Sequence, residues 1–158
     1  MRVIFMRRAV KKITTNIAPR GFKMAVVVAD FNASVTKGLL AGALRAAKDS
    51  DLKNVAVYHV AGSFEVAQLA MRLAKTKRWH AIVCLGVIIK GETSHDQHLA
   101  SAVTSGLLQV GLNTGVAIGL GVITANNVAQ ARARSGHNQY NRGYAAVAAA
   151  VALATQKI

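Results

Sequence analysis

A chain of 158 residues is long enough for one domain, and a hydrophobic share of 53% gives that domain a sizeable core. No apolar run approaches the roughly 18 residues of a membrane span, and Met1 to Arg8 has arginines without the apolar stretch of a secretory signal. Twenty Lys and Arg against six acids give a net charge of +14, which favours anionic partners.

Residues 1–22 read as a basic N-terminal arm ending at Pro19-Arg20-Gly21, and residues 23–158 as a single regular domain. Arg2, Arg7, Arg8, Lys11, Lys12, Arg20 and Lys23 all precede the first acid, Asp30. A transit peptide reads in the same way; a solvated arm on a cytoplasmic protein is the reading preferred. The first strand is expected at Met24 to Ala29, followed by helical spacing of Val35, Leu39, Ala43 and Ala47. Val55 to Val60 is the second strand, and Val66, Leu69, Ala70 and Leu73 recur as a helix face after it. Ala81 to Ile89 is the third, followed by Leu99, Val103, Leu107 and Val110 at helical spacing. Val116 to Ile123 is the fourth, with helices at Val128 to Arg134 and Tyr144 to Ala154 on either side of the polar stretch Ser135 to Gly143.

Each strand is rich in Val or Ile and apolar on both faces, which predicts buried parallel strands. Right-handed crossovers then give a three-layer α/β/α sandwich with a central, mostly parallel four-stranded sheet of flavodoxin-like type. Few aromatics and many Ala and Val imply closely packed elements and stability shared with neighbouring subunits. Cys84, alone in the apolar run Ala81 to Leu85, reads as a buried, inert thiol, and no disulfide within the chain can form.

Ligands of such sheets bind beyond the carboxyl ends of the strands, here Asp30 to Asn32, Ala61 to Glu65, Lys90 to His95 and Thr124 to Asn127. The stretch Leu85 to His95 leaves a strand, turns at Gly91 and enters a helix near Thr93 or Ser94. Free backbone N–H groups and the positive end of a helix dipole form a site for phosphate. Thr93 or Ser94 serving only as an N-cap accounts for the same pattern. His95 falls in the first turn, where the dipole favours a neutral imidazole able to accept a proton; a surface or capping histidine is the plainer alternative. His98 stands three residues on, but no third ligand has suitable spacing, so a metal site is rejected.

Phe31-Asn32 puts an aromatic face and an amide at a strand exit, where a flat heterocycle can stack or Phe31 can staple the next helix. Gly62-Ser63-Phe64-Glu65 places an acid at a helix start, where dipole stabilisation alone would explain it. Arg132, Arg134 and Arg142 flank a loop able to close on an anion, or else form a solvated charged face.

Asp30-Phe31-Asn32, Gly62 to Glu65, Gly91 to His95 and Gln130 to Gly143, in this order and spacing, resemble the lumazine synthases from about residue 23 to the C-terminus. The resemblance implies condensation of 5-amino-6-(D-ribitylamino)uracil with L-3,4-dihydroxy-2-butanone 4-phosphate to 6,7-dimethyl-8-ribityllumazine, the precursor of riboflavin, with no metal or organic cofactor. It makes Phe31 the stacking surface for the pyrimidine and Glu65 a partner of the ribityl hydroxyls. Asn32, Ser63, Phe64, Leu120 and the backbone at Ile88 and Ile89 complete that side. Gly91, Glu92 and Thr93 would hold the phosphate, with Arg134 of a neighbouring subunit as counter-charge, His95 moving protons, and Lys90 and Arg142 as accessories.

Members of the family form homo-oligomers, as pentamers, decamers or 60-subunit shells, with active sites between subunits; a basic arm would add a strand to a neighbour's sheet. Departures from the family's pattern are Asp30 for arginine, Ala61, Ala67 and Ala117 for proline, Leu120 for an aromatic, Ala145 for an acid, and Gln97 and His98 after the histidine. They bear on the pyrimidine side more than on the phosphate side. Alternatives are an archaeal-type riboflavin synthase, a low-activity shell scaffold that binds polyanions, and a flavin store binding at Phe31. No nucleic-acid motif with interleaved aromatics is present, while the charge of +14 leaves polyanion binding open. No membrane partner is expected.

Overall fold

Apolar runs and amphipathic segments alternate through the residues that the computed structural model describes, 17–157. The elements are β1 (Lys23–Ala29), α1 (Ala33–Asp49), β2 (Asn54–Val60), α2 (Ser63–Lys75), β3 (Ala81–Ile89), α3 (His95–Thr114), β4 (Ala117–Ala125), α4 (Val128–Ala133) and α5 (Arg142–Thr155). Residues 1–16 of the basic arm, and with them the strand expected to join a neighbour's sheet, lie outside the described residues.

The four strands pair in parallel in the order β2-β1-β3-β4. Because successive side chains of a strand point to opposite faces, β1 divides its residues between two cores. Met24, Val26 and Val28 pack with Leu39 and Ala43 of α1 and Val147 and Val151 of α5. Ala25, Val27 and Ala29 pack with Val66 and Ala70 of α2 and Val103 and Leu107 of α3. Helices therefore cover both faces, giving the three-layer α/β/α, flavodoxin-like sandwich.

The small residues set the layer spacing. A Cβ at Gly143 would stand only 1.9 Å from the Leu39 carbonyl oxygen, so α5 starts in direct backbone contact with α1. Gly115 ends α3 at φ 75, a left-handed position that glycine adopts without steric cost, and its N–H closes on the Gly111 carbonyl at 2.9 Å. The side chains of Asn127 and Asn141 accept the backbone N–H of Gln130 and Tyr144, and these caps start α4 and α5. The second cap starts α5 at Arg142, two residues before the apolar periodicity begins.

The expected burial on both faces fails at the two edge strands, and β4 exposes Leu120 and Thr124. β2 is not buried on both faces; Asn54, Val57 and His59 are exposed and the other four residues are half-buried. It is an edge strand, paired to β1 alone among the described residues. No described helix is long and apolar enough to cross a membrane.

Candidate active site

The strand order reverses between β1 and β3: the chain moves outward from β1 to β2, then returns to the far side of β1. Loops diverge at such a point and leave a crevice beyond the strand ends. There a cavity of about 370 Å³ is lined by Phe31 and Asn32, by Gly62 to Glu65, by Val87 to Ile89, and by Gly91, Thr93, His95, Asp96 and Leu99.

The β1 and β2 exits are tied together, since Asp30 N–H donates to the Val60 carbonyl at 2.8 Å and Phe31 N–H to the Ala61 carbonyl at 3.0 Å. Beside them His59 Nδ1 and Asp30 Oδ1 lie 2.7 Å apart. Phe31 is 70% exposed, so it does not staple α1; its ring is presented to the cavity mouth. Asn32 takes a left-handed backbone, φ 60, which asparagine tolerates, and its side chain makes no cap hydrogen bond.

On the next turn Gly62 N–H donates to Glu65 Oε2 at 2.9 Å. The helix-start reading of Glu65 is thus realised, and it fixes the carboxylate at the cavity wall. Ser63 is buried, with its hydroxyl donating to the Val87 carbonyl at 3.4 Å. It fits there because position 86 is glycine: a Cβ would lie 2.6 Å from Ser63 Oγ.

At the β3 exit, Lys90 N–H donates to the Ala125 carbonyl at 2.8 Å, which anchors the strand end. From Gly91 to Ser94 no backbone N–H meets a partner among the described residues. Ser94 is the N-cap residue of α3 but makes no side-chain cap bond, and Thr93 Oγ1 accepts the His95 N–H only at 3.4 Å. Capping therefore does not use up the donors, and they gather at the positive end of a 20-residue helix. His95 is exposed beside them, its ring free of hydrogen bonds to described residues. Unpartnered N–H groups, an imidazole and an aromatic face thus share one cavity.

Among the expected site residues, Phe31, Asn32, Ser63, Phe64, Glu65, Ile88, Ile89, Gly91, Thr93 and His95 come together. Lys90 and Glu92 are exposed neighbours outside the lining. Leu120 is separated from this cavity: it pairs with Cys84 in mid-strand and opens onto a second groove with Leu108, Leu112 and Leu153. Its position well before the strand end keeps it from the exits of its own chain. Arg134 caps α4 beyond β4, its Nη1 donating to the Gln130 carbonyl at 3.2 Å, and Arg142 starts α5; neither lines the cavity. Asp96 lines it unexpectedly, with Oδ1 buried and unpartnered. Only its place in the first turn, next to His95, hinted at this.

Cys84 is fully enclosed in mid-sheet, and burial pushes its thiol from 9.0 up to about 12. It takes no part in the cavity.

A parallel four-stranded α/β/α sandwich with a cavity at its switch point places the chain among proteins of flavodoxin-like fold. The family model of 6,7-dimethyl-8-ribityllumazine synthase matches residues 21–157. The 6,7-dimethyl-8-ribityllumazine synthase of Salinibacter ruber is 41% identical over 137 residues, 85% of this chain and 88% of its own. That of an Arthrobacter strain is 43% identical over 134 residues, 84% and 82% of the two chains. That of Chloroherpeton thalassium is 35% identical over 144 residues, 90% and 93%. The chain belongs to the 6,7-dimethyl-8-ribityllumazine synthase family.

Proposed function

We propose that the protein condenses 5-amino-6-(D-ribitylamino)uracil with L-3,4-dihydroxy-2-butanone 4-phosphate to 6,7-dimethyl-8-ribityllumazine, with loss of phosphate and water. The observation that carries this reading is the row of unpartnered N–H groups from Gly91 to Ser94, beside His95 and across the cavity from Phe31. The phosphate of the four-carbon substrate binds the amides of Gly91 and Glu92 and the Thr93 hydroxyl, where it also meets the positive end of α3. The pyrimidine stacks on Phe31, with Asn32, Ser63, Phe64 and the Ile88 and Ile89 backbone around it. Glu65 Oε1, which the Gly62 bond leaves free, accepts the ribityl hydroxyls.

Attack of the 5-amino group on the ketone gives a carbinolamine. Its loss of water to an imine, elimination of phosphate, and closure of the second ring on the remaining carbonyl with loss of a second water each move a proton, and in this reading His95 carries them. Holding both substrates in one crevice supplies much of the remaining acceleration. Lys90 adds positive potential at the cavity's edge, and Arg142, whose N–H bonds the Arg134 carbonyl, would add it together with Arg134 from the neighbouring copy.

Arg134 and Leu120 lie outside the cavity of their own chain, and in this reading a neighbouring copy brings them to it. The working form is accordingly a homo-oligomer built on pentamers, as a single ring, a pair of rings or a 60-subunit shell.

Mixing the two substrates with the protein should generate the lumazine chromophore. His95→Ala should slow it by about 10²- to 10⁴-fold. Absence of product above the uncatalysed background would sink the reading. Lumazine supplied alone should give no riboflavin; its conversion would move the protein to the riboflavin synthase alternative.

A further inference from the structure

The charge of +14 is not spread over the molecule. In a parallel sheet every strand starts at one end, and each crossover helix finishes there. At this starting end Lys23 opens β1, Lys53 precedes β2, and Lys77 and Arg78 lead into β3. Arg20 stands in the turn before β1, Lys48 and Lys75 close α1 and α2, and Lys157 follows α5. Against these eight exposed cations stand two acids, Asp49 and Asp51. The opposite end, which holds the cavity, has five cations and four carboxylates, Asp30, Glu65, Glu92 and Asp96. Binding an anionic substrate at the strand exits therefore does not account for the excess.

Nor do ordinary structural roles. Cations in the last turn of a helix complement its dipole, which covers Lys48 and Lys75 but none of those on turns and strand starts. Lys53 pairs with Asp51 at 2.5 Å, and no other Lys or Arg of this end has a carboxylate partner among the described residues. Lys77 keeps a left-handed backbone, φ 57, a position glycine fills at lower cost.

We propose that this starting end of the sheet is a second functional surface, which binds nucleic acid through its phosphates without reading sequence. The cations cross the sheet at strand spacing, roughly 4.8 Å per strand. They are strung over turns of adjacent strands rather than converged on one cavity, so they suit a chain of phosphates better than one small anion. No described helix carries them along one face, as docking on a lipid surface would ask. Trp79 packs edge-on against Tyr58 and His80 stacks on Phe22, so these rings are engaged within the protein. Contact is thus with the backbone, which carries no sequence information. The surface is independent of the catalytic reading and lies at the other end of the sheet from His95.

Fluorescence anisotropy of a labelled 20-nucleotide RNA of mixed sequence, titrated with the full-length protein between 50 and 200 mM salt, tests this. Binding should weaken steeply with salt and show no preference among scrambled sequences. Arg20→Glu/Lys75→Glu/Arg78→Glu, none of which lines the leucine groove, should weaken it at least tenfold and flatten the log-log salt slope by about 2, given roughly 0.7 per phosphate contact on a single strand. Lumazine formation should be unchanged. Lys37→Glu, at the opposite end, should leave RNA affinity within about twofold. Should charge reversal impair folding, Lys75→Gln/Arg78→Gln gives the same comparison. The proposal is overturned if RNA does not bind, if the triple variant binds as tightly as the parent, or if only vesicles of anionic lipid are captured.

Discussion

At Gly91 an added Cβ would meet no atom within 4 Å, and the backbone there is outside the left-handed region. Gly91→Ala is therefore compatible with the fold, and stability should change by no more than about 0.5 kcal/mol. The methyl group would stand beside the free amides, so KM for the butanone phosphate should rise about tenfold with kcat little affected. Gly86→Ala is the opposite case. Its Cβ would sit 2.6 Å from Ser63 Oγ and 3.6 Å from the Ala29 Cβ, so urea unfolding should show a loss of about 1 to 3 kcal/mol. Cys84 adds a pH effect. Its thiol ionises at about 12 when folded and at 9.0 ordinarily, so above pH 9.0 the unfolded chain loses the proton first. Stability owed to this group is full below 9.0 and falls as pH rises toward 12; Cys84→Ala should flatten the decline in Tm over that range. What the sequence revealed at this scale was position along the chain. Phe31, Glu65 and Gly91 to His95 were legible because strand exits are where such folds bind. The inward turn of Ser63 and the buried Asp96 oxygen were not, since both depend on which way a side chain points.

Among the described elements, the longest connection is the loop between α4 and α5, which carries Ser135 to Asn141 without strand or helix of its own. Asn141 holds it. Its two Nδ2 hydrogens are shared among the carbonyls of Gly38, Ser135 and Gly136 at 3.0, 2.9 and 2.9 Å, while Oδ1 accepts Tyr144 N–H at 3.0 Å. The side chain fits only because Gly42 leaves room, a Cβ there lying 1.9 Å from Asn141 Oδ1. Arg142 N–H closes the loop on the Arg134 carbonyl at 2.8 Å. Asn141→Ala removes a helix cap and strands buried carbonyls, so chemical denaturation should show a loss of about 2 to 4 kcal/mol. Hydrogen exchange should rise first in residues 134 to 142. The four strands and the main helices were readable from periodicity, because alternation of apolar runs with 3.6-residue spacing leaves few other arrangements. That β2 lies at an edge was signalled in Val55 to Val60 only by Tyr58 and His59, since the pairing order decides.

For the whole molecule, the decisive separation is between His95, inside the cavity, and Arg134, beyond β4 on the other flank of the sheet. The second groove, about 830 Å³, carries four leucines more than half exposed: Leu108, Leu112, Leu120 and Leu153. An apolar surface of that kind favours cover by another protein surface. Leu112→Arg should leave the monomer folded, because that side chain is 68% exposed, yet shift sedimentation velocity to smaller species. Its activity should fall together with its size. Mixed assemblies make the sharper test. His95→Ala and Arg134→Ala, each nearly inactive alone, are unfolded together, refolded as an equimolar mixture and assayed. If His95 of one copy works with Arg134 of the next, half of the positions supply each intact partner at random, and about a quarter of the sites should recover. If both residues serve the cavity of their own chain, every site keeps one lesion and activity stays at the level of the separate variants.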